Sequence, residues 1–227
     1  SRRFLQIRSL IVNLFTHLLL AKFFNNYNYK YTTTLHFDIT NRCNFSCVHC
    51  RVVPRGQYEI SPEDARKMIR DIKDYYYIHS FTIGGGEPFL RDDVMDFVTV
   101  FKEEVPSASI GITSNGTLIN KDWLSRLKGL VDTVQISVDG STPAVHDKIR
   151  NCKGSFAMAE EAIRLCRKYD FKVSVRTTLM SLNLQDVPAI IDLLPKWGVR
   201  LFGIRRILPQ GKALTAWDEL SPSPEEY

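Results

Sequence analysis

The sequence predicts an α/β protein, a partial (β/α)6 TIM-like barrel with an added N-terminal helix. Three observations predict it. From Tyr31 onward, six short β-branched runs alternate with stretches of helical apolar spacing, the order that builds a parallel sheet with right-handed crossovers. No Gly-x-Gly-x-x-Gly follows the first run, so a dinucleotide-binding sheet is the poorer match. The residue clusters with chemical character fall just after predicted strands, where barrels of this type keep their chemistry.

Each element has a local reason. Residues 34–40 (TLHFDIT) read as the first strand. Residues 61–76 read as a helix, with Ser61 suited to the N-cap, Pro62 to the first turn, and Ala65, Met68, Ile69 and Ile72 on one apolar face. The second strand is 79–83, followed by a helix over 92–105 that puts Val94, Phe97, Val98, Phe101 and Val105 on one side. Residues 109–113 are the third strand, and 120–130 a helix with Trp123, Leu124 and Leu127 inward. The fourth strand is 133–138, and a helix over 155–169 carries Phe156, Ala159, Ile163 and Cys166 at helical spacing. Residues 171–179 are the fifth strand, 186–197 a helix closed by Gly198, and 200–207 the sixth strand. The expected organisation is an N-terminal extension over 1–30, a barrel over 31–208, and a C-terminal extension that begins at 209 and is cut short at 227.

Composition narrows the function classes. At 44% apolar and 24% charged over 227 residues, the chain buries a full core and is no disordered or low-complexity segment. The net charge of +5 comes without a clustered basic patch, so no nucleic-acid partner is indicated. Five cysteines, three of them within eight residues, do not make a disulfide framework. They point to metal chemistry in a reducing compartment, hence a cytoplasmic and oxygen-poor setting.

Residues 1–30 stand apart. Phe4, Ile7, Leu10, Ile11, Leu14, Phe15, Leu18 and Leu19 recur at helical spacing against a remainder with Arg2, Arg3, Arg8 and Lys22. Three readings stand: a helix packed on the domain, an interfacial helix that binds a membrane surface through residues 4–24, and a cleaved or spanning segment.

After the first strand comes Cys43-Asn-Phe-Ser-Cys47-Val-His49-Cys50. Three thiolates in one short loop suit two centres. Zinc takes four ligands, with His49 available as the fourth. A 4Fe–4S cluster held by three cysteines leaves one iron open. Three packed thiols are the plain alternative. The second strand ends in Gly84-Gly85-Gly86-Glu87-Pro88. Glycines admit close approach of backbone, and the missing Lys-Ser/Thr excludes a phosphate-binding P-loop. An ordinary strand-to-helix turn with Glu87 on the surface is the alternative there.

Together these residues resemble the radical S-adenosylmethionine (radical SAM) superfamily. Its CxxxCxΦC signature matches Cys43, Cys47, His49 and Cys50, and its GGEP motif matches Gly85, Gly86, Glu87 and Pro88. The likeness continues through Ser114-Asn115-Gly116-Thr117, Ser137-Val-Asp139-Gly140, His146-Asp147-Lys-Ile-Arg150 and Arg206-Ile-Leu-Pro209-Gln-Gly211. It implies a 4Fe–4S cluster on Cys43, Cys47 and Cys50. S-adenosylmethionine (SAM) would be cleaved reductively there to methionine and a 5′-deoxyadenosyl radical that takes hydrogen from a substrate. It places Glu87 and the glycine carbonyls at the methionine ammonium, Arg150 at its carboxylate and Ser137 at the ribose or methionine. His49 falls near the adenine, and Asp139 and Asn115 fall among the cofactor contacts. Against these stand a surface Arg150, an ordinary strand-end Ser137, a loop His49, and an Asn115 that only holds its turn. The resemblance also implies an electron donor such as flavodoxin or ferredoxin. Its peptide or small-molecule substrate belongs to peptide maturation or to tetrapyrrole or molybdenum-cofactor biosynthesis. A membrane-surface enzyme acting on a lipid, and a non-catalytic iron–sulfur module, are the competing readings.

Four residues fall outside this pattern. His36 and Asp38 share one strand face, where His36 reads as a satisfied core histidine or as part of a polar pair in the barrel mouth. Cys166 reads as a packed thiol. Arg51 stands where many relatives carry an aromatic residue. The run RRILPQG over 205–211 resembles the barrel exit of members that carry a C-terminal auxiliary-cluster (SPASM or Twitch) domain, yet no cysteine follows Cys166.

Overall fold

The computed structural model describes residues 31–52 and 59–226. The expected N-terminal helix over 1–30 lies outside the described residues. Six strands form one sheet in the order β1-β2-β3-β4-β5-β6: β1 (Tyr31–Thr40), β2 (Tyr76–Gly85), β3 (Ser109–Ser114), β4 (Thr133–Ser137), β5 (Lys172–Leu179) and β6 (Leu201–Arg206). Every neighbouring pair is parallel. The sheet curls into an open half-barrel with β1 and β6 as its edges, which bears out the predicted α/β class.

Alternation along the strands sets the two faces. Phe37, Ile39, Phe81, Ile83, Ile110, Ile112, Val134, Ile136, Val173 and Val175 are buried in the core on the helix-covered side. Phe81 stacks on Phe101 at 4.3 Å between ring centroids. The other face is polar, with Thr82, Thr113, Gln135 and Ser174 around a hollow in the open barrel.

The covering helices are α1 (Pro62–Lys73), α2 (Val94–Glu104), α3 (Lys121–Leu127), α4 (Pro143–Arg150), α5 (Ser155–Lys168) and α6 (Val187–Leu193). Ser61 caps α1 as predicted, its hydroxyl accepting from the Asp64 N–H at 3.0 Å. That helix stops short of the predicted Tyr76, because Tyr76 pairs with Tyr31 in the sheet. Met68 turns outward at 47% exposure, so Ala65 and Ile69 carry the buried face. The helix after β5 is also shorter than predicted. It ends at Leu193 and continues as turns through Leu194 and Trp197, both buried, to Gly198 at φ +68°.

Helix α4 is absent from the sequence reading. Its buried residues are His146, Ile149 and Arg150, so an apolar stripe never develops. Thr142 and Pro143 start it, and Asn151 in the left-handed region ends it.

Past β6, short helices α7 (Lys212–Thr215) and α8 (Trp217–Leu220) fold back on the sheet's carboxyl end. Ala213 and Leu220 join Ile149, Met180 and Ile207 in a second small core, with Val48 of the cysteine loop packed against it. His36 is corrected here. It is exposed on the open face of edge strand β1, not satisfied in a core, because among the described residues no strand closes the barrel beside it.

Candidate active site

The cysteine loop leaves β1 at Thr40 and is docked at once on the glycine run. The Gly86 N–H donates to the Thr40 carbonyl and the Glu87 N–H to the Arg42 carbonyl, both at 2.8 Å. A Cβ on Gly86 would lie 2.0 Å from the Arg42 carbonyl oxygen, and one on Gly85, at φ +117°, 2.3 Å from that of Thr40. The glycines are therefore demanded by backbone packed on backbone.

Other strand ends tie the same loop. The Val48 N–H donates to the Ile149 carbonyl at 3.0 Å, and the Lys212 N–H to the Cys50 carbonyl at 2.9 Å. Asn115 donates from Nδ2 to Asn44 Oδ1 at 2.8 Å, and its own Oδ1 accepts from the Thr117 N–H at 2.9 Å. The turn-holding reading of Asn115 is thus realised, and its side chain also joins the cysteine loop to β3.

Three thiols converge on one open cavity of about 210 Å³ at the carboxyl ends of the strands. Cys43 is exposed, Cys47 buried and Cys50 between the two. Of the predicted residues, His49, Gly85, Gly86, Asn115, Ser137 and Arg150 line the cavity with the cysteines. Glu87, Pro88 and Asp139 do not.

Glu87 is instead a fastener. Its side chain is fully buried. Oε1 accepts from Ser114 Oγ at 2.9 Å and from the Phe89 N–H at 3.3 Å, and Oε2 accepts from the Asn115 N–H at 2.8 Å. Burial pushes its carboxyl up to about 7 in spite of these bonds. These bonds clamp the ends of β2 and β3 together.

Asp139 also sits behind the cavity wall, at 0% exposure. Its Oδ1 accepts from the Thr178 N–H at 2.8 Å, and its backbone N–H donates to His146 Nδ1 at 3.1 Å. Oδ2 lies 2.8 Å from Arg150 Nη2 and 3.7 Å from His49 Nε2. Arg150 thus stands between a buried carboxylate and a cysteine, with Nη1 3.9 Å from Cys47 Sγ. The sequence run His146-Asp147-Lys-Ile-Arg150 resolves into three tasks. His146 holds Asp139, Arg150 pairs with it, and Asp147 accepts from the N–H groups of Gly154 and Phe156 at 2.6 and 2.8 Å to start α5.

Burial raises the Cys43 thiol to about 11, with Glu87, Cys47 and Cys50 adding to the rise. Burial also raises Cys47, against the pull of Arg150. Positive charge near Cys43 and Cys47 would favour their thiolates. Among the described residues no three His, Cys, Asp or Glu side chains form a single-ion site. Among the described residues, His49 Nδ1, Asp139 Oδ2 and Arg150 Nε are buried without hydrogen-bond partners, Asp139 Oδ2 meeting Arg150 only as an ion pair. Cys166 is a packed thiol in the core, as expected.

The cavity also holds Arg176 and Arg205, which the sequence reading missed. Arg176 was legible, since alternation from buried Val173 and Val175 turns it inward.

His146 carries a pH prediction. Burial holds its imidazole down at about 4, well below the usual 6.5. Between these values the unfolded chain binds the proton and the folded chain does not. This contribution is therefore complete above the unfolded value and is lost as pH falls toward the folded one. A His146→Gln variant keeps an acceptor for the Asp139 N–H without titrating. From pH 7 to pH 5 the native protein should lose about 2 kcal/mol relative to that variant in urea unfolding. Parallel pH profiles for the two proteins would contradict this.

A family model described as the Radical SAM superfamily matches residues 37–194. Fe-coproporphyrin III synthase of Methanosarcina barkeri is 33% identical over 162 residues, 70% of this chain and 40% of that protein. Mycofactocin maturase MftC of Mycobacterium ulcerans is 33% identical over 201 residues, 83% of this chain and 51% of that protein. The chain thus spans about half the length of the curated relatives it matches. Among solved structures, Streptococcus suis SuiB bound to precursor peptide SuiA superposes with a TM-score of 0.69 at 16% identity, covering 87% of this chain and 44% of that one. At that identity the likeness speaks to the fold.

Proposed function

The chain belongs to the radical SAM superfamily of enzymes, and on that premise we propose that it holds a 4Fe–4S cluster on Cys43, Cys47 and Cys50 and uses SAM to take hydrogen from a substrate in peptide or cofactor maturation. The observation that carries this reading is the convergence of the three thiols on one cavity with Arg150 beside Cys47. When bound, the cluster and SAM supply a one-electron reductive cleavage that yields methionine and a 5′-deoxyadenosyl radical.

The protein's own residues bind, orient and keep water out. Arg150 offers a buried Nε without a partner among the described residues, suited to the methionine carboxylate. Gly85 and Gly86 border the cavity with backbone carbonyls for the ammonium group, and Ser137 offers a hydroxyl to the ribose. His49, whose buried Nδ1 has no partner among the described residues, would serve the adenine. Asp139, His146 and Glu87 act from behind, fixing Arg150 and the strand ends. An electron donor of the flavodoxin or ferredoxin type completes the cycle. The relatives named as a mycofactocin maturase and a coproporphyrin synthase favour a peptide or tetrapyrrole substrate.

Anaerobic reconstitution should load about four irons per chain, and the reduced protein should show an iron–sulfur EPR signal that SAM perturbs. One zinc per chain, or a signal indifferent to SAM, would overturn the reading.

A further inference from the structure

The cavity has two halves. One holds the cysteines, the glycine run and Arg150. The other is walled by the ends of β5 and β6, where Arg176 and Arg205 line it. In register, Arg176 faces Gly203 and Arg205 faces Thr178 across the β5–β6 ladder. The Arg176 side chain lies over Gly203. A Cβ there would lie 3.8 Å from its Nε and 3.9 Å from its Nη2.

The charges nearby are already paired. Arg51 meets Asp38 at 2.7 Å and Arg150 meets Asp139 at 2.8 Å. Among the described residues Arg176 and Arg205 have no hydrogen-bonding or ion-pair partner. Partial burial, and the charge of Arg205, both weaken the hold of Arg176 on its proton. Both cations also bear on His36 of β1, across the open side of the barrel. Two guanidiniums that repel each other beside a reaction chamber, with no carboxylate of their own, make a receptor for oxyanions, and planar guanidinium forks suit them bidentately.

We propose that Arg176 and Arg205 form the substrate subsite of this cavity, and that the substrate carries oxyanionic groups, carboxylate or phosphate, which the two arginines hold while another part of it faces the cysteine half. This rests on the proposed function, because it takes the cysteine half as the place of hydrogen abstraction.

The test uses the reconstituted protein with SAM present. Binding of 1,2,3,4-butanetetracarboxylate, its tetramethyl ester and pyrophosphate is measured by calorimetry at one fixed ionic strength. The native protein should bind the tetracarboxylate or pyrophosphate, whichever anion the subsite is built for, and not the ester. Arg176→Gln and Arg205→Gln should each weaken that binding about tenfold, as loss of a charge-assisted bond does. Lys128→Gln, an equal loss of charge on an exposed helix end, should not. Arg205 is exposed, so its variant folds whatever Arg176→Gln does. Absence of anion binding, or equal weakening by Lys128→Gln, would overturn the proposal. So would a matching loss of SAM affinity in the arginine variants, which would assign the pair to SAM. Failure of the cluster reading would show separately, as missing 5′-deoxyadenosine with anion binding intact.

Discussion

Replacing Cys47 by alanine is expected to abolish cluster loading and SAM cleavage while leaving the fold in place. Cys47 is the buried member of the three and the one that Arg150 approaches. On the proposed reading its loss would remove one of three cluster ligands. The packing cost is small, about 1 kcal/mol for one buried sulfur replaced by space. Iron content should fall well below the native value, and SAM cleavage by about a thousandfold or more. Melting of the metal-free variant should stay near that of the metal-free native chain. Retained iron with retained turnover would remove Cys47 from the ligand set.

Replacing Arg150 by methionine should be the most damaging single change to stability. Asp139 is fully buried, and Arg150 is its close cationic partner at 2.8 Å. Removing one member of a buried pair strands the other charge, at a cost of about 3–5 kcal/mol. Against a total of roughly 5–15 kcal/mol, that leaves a marginal protein. Adding Asp139→Asn removes the stranded charge. The amide keeps an acceptor oxygen for the Thr178 N–H, which now meets Asp139 Oδ1 at 2.8 Å. The double variant should recover most of the stability in urea unfolding without recovering SAM binding. Recovery of both would make Arg150 a purely structural residue. A single variant as stable as the native chain would contradict the buried pair itself.

The sheet was readable because its pattern is local. Runs such as 109–113 and 133–138 alternate buried and open residues, and strands β3 and β4 fall on them within a residue. Helix α4 was not readable, because its inward face is spent on His146 and Arg150 and offers no apolar period to see. Tyr76 misled for a related reason. A helical spacing ran on through it, while pairing with Tyr31 in the sheet decided the outcome.

At the site, the cysteine spacing and the glycine run carried their own signal, since both act within a few residues of chain. Glu87 did not. Its role depends on Ser114 and Asn115 at the end of the next strand, contacts that no spacing reveals. Asp139 is grouped with the cofactor contacts by its motif, and its burial against Arg150 and His49 is something no spacing reveals. His36 read as a core residue from strand alternation alone, while among the described residues β1 is an open edge.

The most direct test of the central claim is product analysis on the reconstituted, chemically reduced protein incubated with SAM under anaerobic conditions. The account predicts 5′-deoxyadenosine and methionine in equal amounts, formed only with reductant present and absent in Cys47→Ala. An intact, reduced cluster that leaves SAM unchanged would contradict it.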